Sequence, residues 1–220
     1  MKTRTKALLL SLCAMMLVVA SIFGTMAYLT STDEVKNTFT VGNVAITLDE
    51  TDVDDSTPNA DRDKANSYKL LPGHEYTKDP IVHVASTSED CYLFVKVVNE
   101  ITAIEDSTNT VASQMAAKGW KAVDGQTGLY VYVGTAAGAT APLAVTAGSN
   151  VTVFEKVKIA GTVDNTTLAG YANKTITVTA YAVQKDGFDG KTASEIWTAT
   201  FGASTPTPTP TPTPAPGGDE

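Results

Sequence analysis

Two cysteines, two histidines and two tryptophans are all that 220 residues provide of those types. Cys13 lies in an apolar leader, so a chain that loses the leader keeps Cys91 alone and cannot form an intramolecular disulfide. His74 and His83 stand nine residues apart, without the H-E-x-x-H spacing that places two imidazoles on one zinc ion. No G-x-S-x-G elbow and no phosphate-cradling glycine loop occurs. Basic residues are also short, at 16 against 24 acidic ones, a net charge of −8. That balance disfavours binding to nucleic acid, whose phosphates are matched by Lys and Arg. The inventory is poor in catalytic groups and poor in covalent staples, so the fold rests on a packed core.

What the chain has in plenty sits at its two ends and in short alternating runs. Residues 1–6 (MKTRTK) carry three positive charges, and residues 7–29 carry none and are mostly apolar. A basic start, an apolar centre and small residues before polar "TSTDE" read as an export signal, cut between Ala27 and Tyr28. Twenty-three uncharged residues are also long enough for a retained membrane anchor, which is the plainer alternative. Cleavage takes three of the 16 basic residues and no acid, leaving 13 against 24, a net −11. The other end, "STPTPTPTPTPAPGGDE" (204–220), lacks a backbone N–H at every second residue and reads as a disordered, polyproline-like stalk. The domains expected are therefore a signal peptide (1–27), one body (28–203, with 28–37 as an N-terminal arm) and a stalk (204–220).

Between the ends, strand-like runs alternate with turn signals. "TFTVGNVAITLDE" (38–50) changes phase at Gly42-Asn43: Phe39 and Val41 are odd, while Val44, Ile46 and Leu48 are even. With a side-chain period of two, that shift requires a bulge or bend. "DPIVHVAS" (79–86) follows the "LLPG" turn, and "CYLFVKVVN" (91–99), apolar on both phases, reads as a central strand covered on both faces. "WKAVDGQTGLYVYVG" (120–134) reads as a hairpin about Asp124-Gly125. "SNVTVFEKVKIA" (149–160) sets Val151, Val153, Val157 and Ile159 on one face, and "KTITVTAYAVQKDG" (174–187) sets Ile176, Val178, Ala180 and Ala182 against threonines. Two helices are predicted. Thr110 caps one containing Val111 and Met115, stopped by Gly119. Thr192 and Glu195 form a capping box ahead of Ile196 and Trp197. The fold class expected is all-β, an antiparallel β-sandwich with small helical inserts.

Chemistry offers little. His74 and His83 read as ordinary surface or packed residues, and Cys91, opening the most apolar strand, as a small buried hydrophobe. The acidic stretch "LDETDVDDSTPNADRDKAN" carries Asp49 and Glu50, then Asp52, Asp54, Asp55, Asp61 and Asp63, hard ligands of the kind calcium takes. It lacks D-x-D-x-D-G spacing, and Arg62 and Lys64 dilute it, so a solvated acidic loop is the plainer reading and no metal or cofactor is assigned. Three N-x-T sequons begin at Asn150, Asn165 and Asn173.

The segment "GTMAYLTSTDEVKNTFTVGNV" resembles the start of exported proteins processed by the dedicated signal peptidase SipW, and "LLPGHEYTKDPIVHV" with "CYLFVKVVNE" resembles the segments that follow there. The similarity covers residues 20–185 and is to the TasA and camelysin group of biofilm fibre proteins. It implies a jelly-roll sandwich, secretion from a Gram-positive cell, and fibres built by donor-strand complementation. In that mechanism the freed arm of one copy, here Tyr28, Leu29, Val35 and Phe39, completes the sheet of the next. The implied partners are the SipW-type peptidase and a second copy or homologous fibre subunit, with membrane contact only before cleavage. The metallopeptidase label attached to camelysin is all that speaks for a hydrolase, a lesser alternative; no zinc pattern in this chain matches it, so no enzyme is expected. The Thr-Pro tail departs from that family and favours an alternative, a stalked monomeric surface adhesin.

Overall fold

The structure, a computed structural model, describes residues 3–29, 42–54 and 62–202. They fall into two units, divided between Val41 and Gly42. The first contributes one 27-residue helix, α1 (Thr3–Leu29). Side chains are described from Thr3 to Val19, all exposed, and among the described residues no helix is long and apolar enough to cross a membrane.

The second unit is mostly strands in antiparallel sheets, with a few short helices. Sheet one is built from β1 (Ile46–Thr51), β2 (Arg62–Asp63), β4 (Ile81–Val84) and β9 (Asn150–Thr152), in the order β2-β1-β4-β9. Sheet two has the order β11-β5-β7-β6, from β11 (Ile176–Gln184), β5 (Cys91–Asn99), β7 (Leu129–Tyr132) and β6 (Trp120–Ala122). β8 (Ala144–Val145) pairs with the start of β5. A small third sheet joins β3 (Glu75–Thr77) to β10 (Lys156–Lys158). Val82, Val84 and Val151 of sheet one share a core with Leu93, Val95 and Val97 of sheet two, giving a sandwich-like arrangement.

β5 occupies the span read from sequence and is covered on both faces. Cys91, Leu93, Val95 and Val97 enter the inter-sheet core, while Tyr92 and Phe94 enter a second cluster with Ile196 and Trp197. Val98, on the same phase as Phe94, is half exposed, because the second cluster does not reach the end of the strand. The predicted hairpin pairs Trp120 with Tyr132 and Ala122 with Tyr130.

Both predicted helices form. In α2 (Val111–Ala117) the Thr110 side chain accepts the Ser113 N–H, and Val111 and Met115 are buried. Gly119, at φ 88°, ends it where a Cβ would stand 2.6 Å from the backbone of Gly134, so conformation and space both require glycine. In α4 (Ala193–Phe201) the capping box is complete, and Ile196 and Trp197 are fully buried. α3 (Asn165–Ala169), capped by Asp164, and a 3-10 turn at Thr102–Ile104 are not foreseen from the sequence.

Two strand readings are corrected. Residues 42–45 lie outside any strand, and β1 begins at Ile46; residues 38–41, with Phe39 and Val41, lie outside the described residues. The 149–160 run is two strands in different sheets, since the chain crosses over at Val153-Phe154-Glu155. Gln114 bridges that crossover: its Oε1 accepts the N–H groups of Glu155 (3.2 Å) and Lys156 (3.1 Å), and its Nε2 donates to the Lys156 carbonyl (2.8 Å). Backbone groups released by the sheet switch are thus satisfied by a side chain. Val151, Val153, Val157 and Ile159 are nevertheless all buried, as their alternation predicts.

Candidate functional site

Register and hydrogen bonds together fix which backbone groups of the edge strands point outward. In an antiparallel pair each residue turns both its N–H and its C=O to one side, and successive residues alternate. Glu100 N donates to Thr175 O (3.1 Å) and Lys185 N to Asp90 O (2.9 Å), so the odd-numbered residues of β11 face β5. The even-numbered ones, Ile176, Val178, Ala180, Ala182 and Gln184, turn their N–H and C=O groups away from it. Among the described residues no strand pairs with that side of β11.

The same reasoning applies to β1. Ala85 N donates to Ala45 O (2.9 Å), which sets Thr47 and Asp49 toward β4 and turns the backbone of Ile46 and Leu48 outward. Among the described residues, β2 joins β1 only at Glu50 and Thr51. β1 also lies against β11, so the two strands that described residues pair incompletely stand on the same side of the sandwich. The side chains follow suit: Val44, Ile46 and Leu48 from one sheet and Ile176, Val178, Ala180 and Ala182 from the other are partly buried against the inter-sheet core.

Edge strands are ordinarily blunted by shortness, charge, proline or a cover. β6 is three residues long and carries exposed Lys121. β9 is equally short, and the Trp120 indole donates to its Thr152 carbonyl (2.9 Å). Among the described residues, β11 shows no shortness, charge or proline of this kind. Its nine residues, ITVTAYAVQ, hold no charge and no proline. An edge of that length and chemistry can accept a further strand.

The other predicted residues lie elsewhere. Ala27, Tyr28 and Leu29 fall within the last turn of α1, while Val35, Phe39, Asp55, Asp61 and the 204–220 tail lie outside the described residues. The acidic residues are engaged by protein donors. Arg62, read from sequence as a diluting charge, is instead the hub. Its Nε donates to Asp49 Oδ1, Nη1 to Asp79 Oδ2 (3.1 Å), and Nη2 to the Asp79 carbonyl (2.8 Å). His83 Nε2 stands 3.0 Å from Asp49 Oδ1, and Nδ1 2.7 Å from Asn150 Oδ1. Burial alone raises the Asp49 carboxyl, but the hydrogen bonds from Arg62 and His83 outweigh it and hold the group below the usual range. Asp79 is lowered in the same way, burial being outweighed by Thr51 and Arg62. Asp52 Oδ1 accepts the Asp54 N–H, Asp54 Oδ2 the Ser67 N–H, and Asp63 Oδ1 the Lys64 N–H. Among the described residues no group of three or more His, Cys, Asp or Glu could hold a metal ion.

Cys91 is fully buried, and burial pushes its thiol up to about 11. His74 follows the turn closed by its own N–H to Leu71 O (3.2 Å) and stacks obliquely near Tyr76. Sequence reasoning missed Asp79 and Glu105. Glu105 is buried, accepts from Asn99 Nδ2 (2.7 Å) and Val111 N (3.3 Å), and is raised chiefly by burial. Its position one turn ahead of the Thr110 cap was the available signal. No family model, curated protein or solved structure matches this chain.

Proposed function

We propose that the chain is a secreted structural protein of the extracellular matrix, assembling into fibres by strand addition once its leader is cut after Ala27. The observation that carries this reading is the β11 edge: nine residues, without charge or proline, whose outward backbone groups no described strand meets. A strand laid there continues sheet two and places alternate side chains beside Ile176, Val178 and Ala180 at the rim of the core. The segment freed by cleavage, Tyr28 onward, supplies such a strand, with Val35 and Phe39 on one phase. Joined head to tail between copies, the contact does not close on itself and produces a filament. In this reading the two sheets form a jelly roll, α1 is the export signal, and a SipW-type peptidase at a Gram-positive membrane releases the arm. The partner is a second copy or a homologous subunit.

The test compares chains beginning at Tyr28 and at Phe39, examined by size exclusion and electron microscopy. The longer chain is expected to form filaments, and the shorter one to stay monomeric until a peptide covering 28–41 is supplied. Equal filament formation by both overturns the proposal. A longer chain that stays monomeric and adheres to surfaces favours the stalked adhesin.

A further inference from the structure

Among the described acidic residues of the "LDETDVDD" run, Glu50 alone has a side chain nearly closed to solvent, at 6 % exposure. Its two oxygens hold two different nitrogens. Lys78 Nζ donates to Oε2 at 2.7 Å, and Asn66 Nδ2 donates to Oε1 at 3.0 Å. Lys78 is itself 13 % exposed, with the half-buried Tyr68 ring 5.9 Å from its ammonium. The Asn66 carboxamide is oriented by two further bonds: Nδ2 also donates to the Thr51 carbonyl (3.0 Å), and Oδ1 accepts the Val53 N–H (2.8 Å). An amine, a carboxamide and a carboxylate bridging them therefore meet, the amine and the carboxylate nearly closed to solvent and the carboxamide partly so, with a backbone donor on the carboxamide oxygen.

We propose that this is a self-modifying site, in which Lys78 and Asn66 join through an amide bond and Glu50 moves the protons. The Lys78 ammonium gives a proton to Glu50, and the freed electron pair of Nζ attacks Asn66 Cγ. The carbonyl electrons move onto Oδ1, where the Val53 N–H faces the developing charge, as in an oxyanion hole. Glu50 delivers that first proton to Nδ2, the Cγ–Nδ2 bond breaks and ammonia leaves; Glu50 then takes the second proton from Nζ and passes it to the ammonia, which restores the carboxylate. The products are one Nζ–Cγ amide and one ammonium ion, and no oxidant or reductant is consumed. Glu50 acts here as general base and then acid, a role set by its two oxygens each holding one of the reacting nitrogens. The link would fasten the segment after β2, at Asn66, to the connection between β3 and β4, at Lys78, in a chain whose body has no disulfide.

Intact mass spectrometry of the purified full chain is expected to show the loss of one ammonia, and proteolysis to yield a branched peptide joining Asn66 to Lys78. E50Q is expected to keep the ammonia and yield two linear peptides. N66D, which presents a carboxyl at the same place, is expected to form the same branch with loss of water instead. Should E50Q fail to fold, the unaltered chain and N66D still decide. Full mass in the unaltered chain overturns the proposal, as does ammonia lost without the branched peptide, the signature of a succinimide.

Discussion

β5 and β11 are two nine-residue strands paired to each other along their whole length, yet they answer to different constraints. β5 has strands on both edges and apolar clusters on both faces. Its inward phase is Cys, Leu, Val and Val, and its other phase opens with Tyr and Phe. β11 has β5 on one edge and no described strand on the other; one phase of its side chains is Ile, Val, Ala and Ala before a final Gln, and the other is Thr, Thr, Tyr and Val. Where every group has a partner, sequence variation disturbs packing. Where half the backbone groups turn outward, sequence variation decides what else the sheet can bind. The expectation is that substitutions in β5 are read in stability and those in β11 in assembly.

The largest effect is expected in β5. Phe94 is fully buried and packed against Trp197 with ring centroids 5.4 Å apart, so Phe94→Ala opens a cavity in the second cluster. The cost is about 3–5 kcal/mol, measurable as a lower urea midpoint. A loss under about 1 kcal/mol would show that the second cluster collapses around the gap and that β5 is not the centre of the fold.

A proline pair sharpens the comparison within β11. Thr179 turns its N–H toward Lys96 of β5, whereas Ala180 turns its N–H outward. Thr179→Pro breaks a ladder bond and leaves the Lys96 carbonyl without that donor, a loss on the order of 1–3 kcal/mol. Ala180→Pro removes only an outward donor, which an edge strand tolerates, so stability changes by about 1 kcal/mol or less, while the filament formation proposed above is expected to be lost. Filaments that persist in Ala180→Pro would move the accepting edge to another strand.

Sheet one supplies a third contrast, in pH. The folded-state carboxyls of Asp49 and Asp79 are lowered, so in the native state they hold their charge to a lower pH than in the unfolded chain. Their stabilisation is present above the unfolded value, about 3.9, and is lost as pH falls through the folded values. Glu105 runs the other way: its raised folded value favours the native state as pH falls toward the unfolded value. Arg62→Leu is expected to cost about 1–3 kcal/mol at neutral pH and to flatten the acid limb of a urea-midpoint profile. An unchanged acid limb would show that Arg62 does not set the charge of its partners.

How far the sequence disclosed this differs between the two strands. β5 was legible because a run that is apolar on both phases, and too short for a buried helix, fits a strand covered on both faces. α2 and α4 were legible because their caps are local chemistry. β11 was legible as a strand but not as an edge, since its neighbours are fixed by register with residues far away in the chain. The crossover at Val153-Phe154-Glu155 was hidden because one alternation runs through both β9 and β10, and the bridge that permits the switch, Gln114, lies about forty residues earlier. Arg62 was misread for the same reason: its acceptors, Asp49 and Asp79, come from two separate strand regions. A cation among acids in sequence dilutes them, whereas in space it gathers them.

The smallest effect concerns the cover shared by the two strands. Trp197 of α4 packs edge-on to Tyr181 of β11, with centroids 5.1 Å apart, as well as against Phe94 of β5. α4 therefore shields the outer phase of both, and its position depends on a local device, the Thr192 side chain accepting the Glu195 N–H. Thr192→Ala removes that acceptor and is expected to cost about 1 kcal/mol, as for other caps. Because α4 is short, the loss should be concentrated in faster amide exchange along α4 itself and leave β5 protected. If exchange instead accelerates equally in α4, β5 and β11, the helix is part of the cooperative core rather than a cover upon it, and the division between a structural strand and a binding strand must be drawn further out.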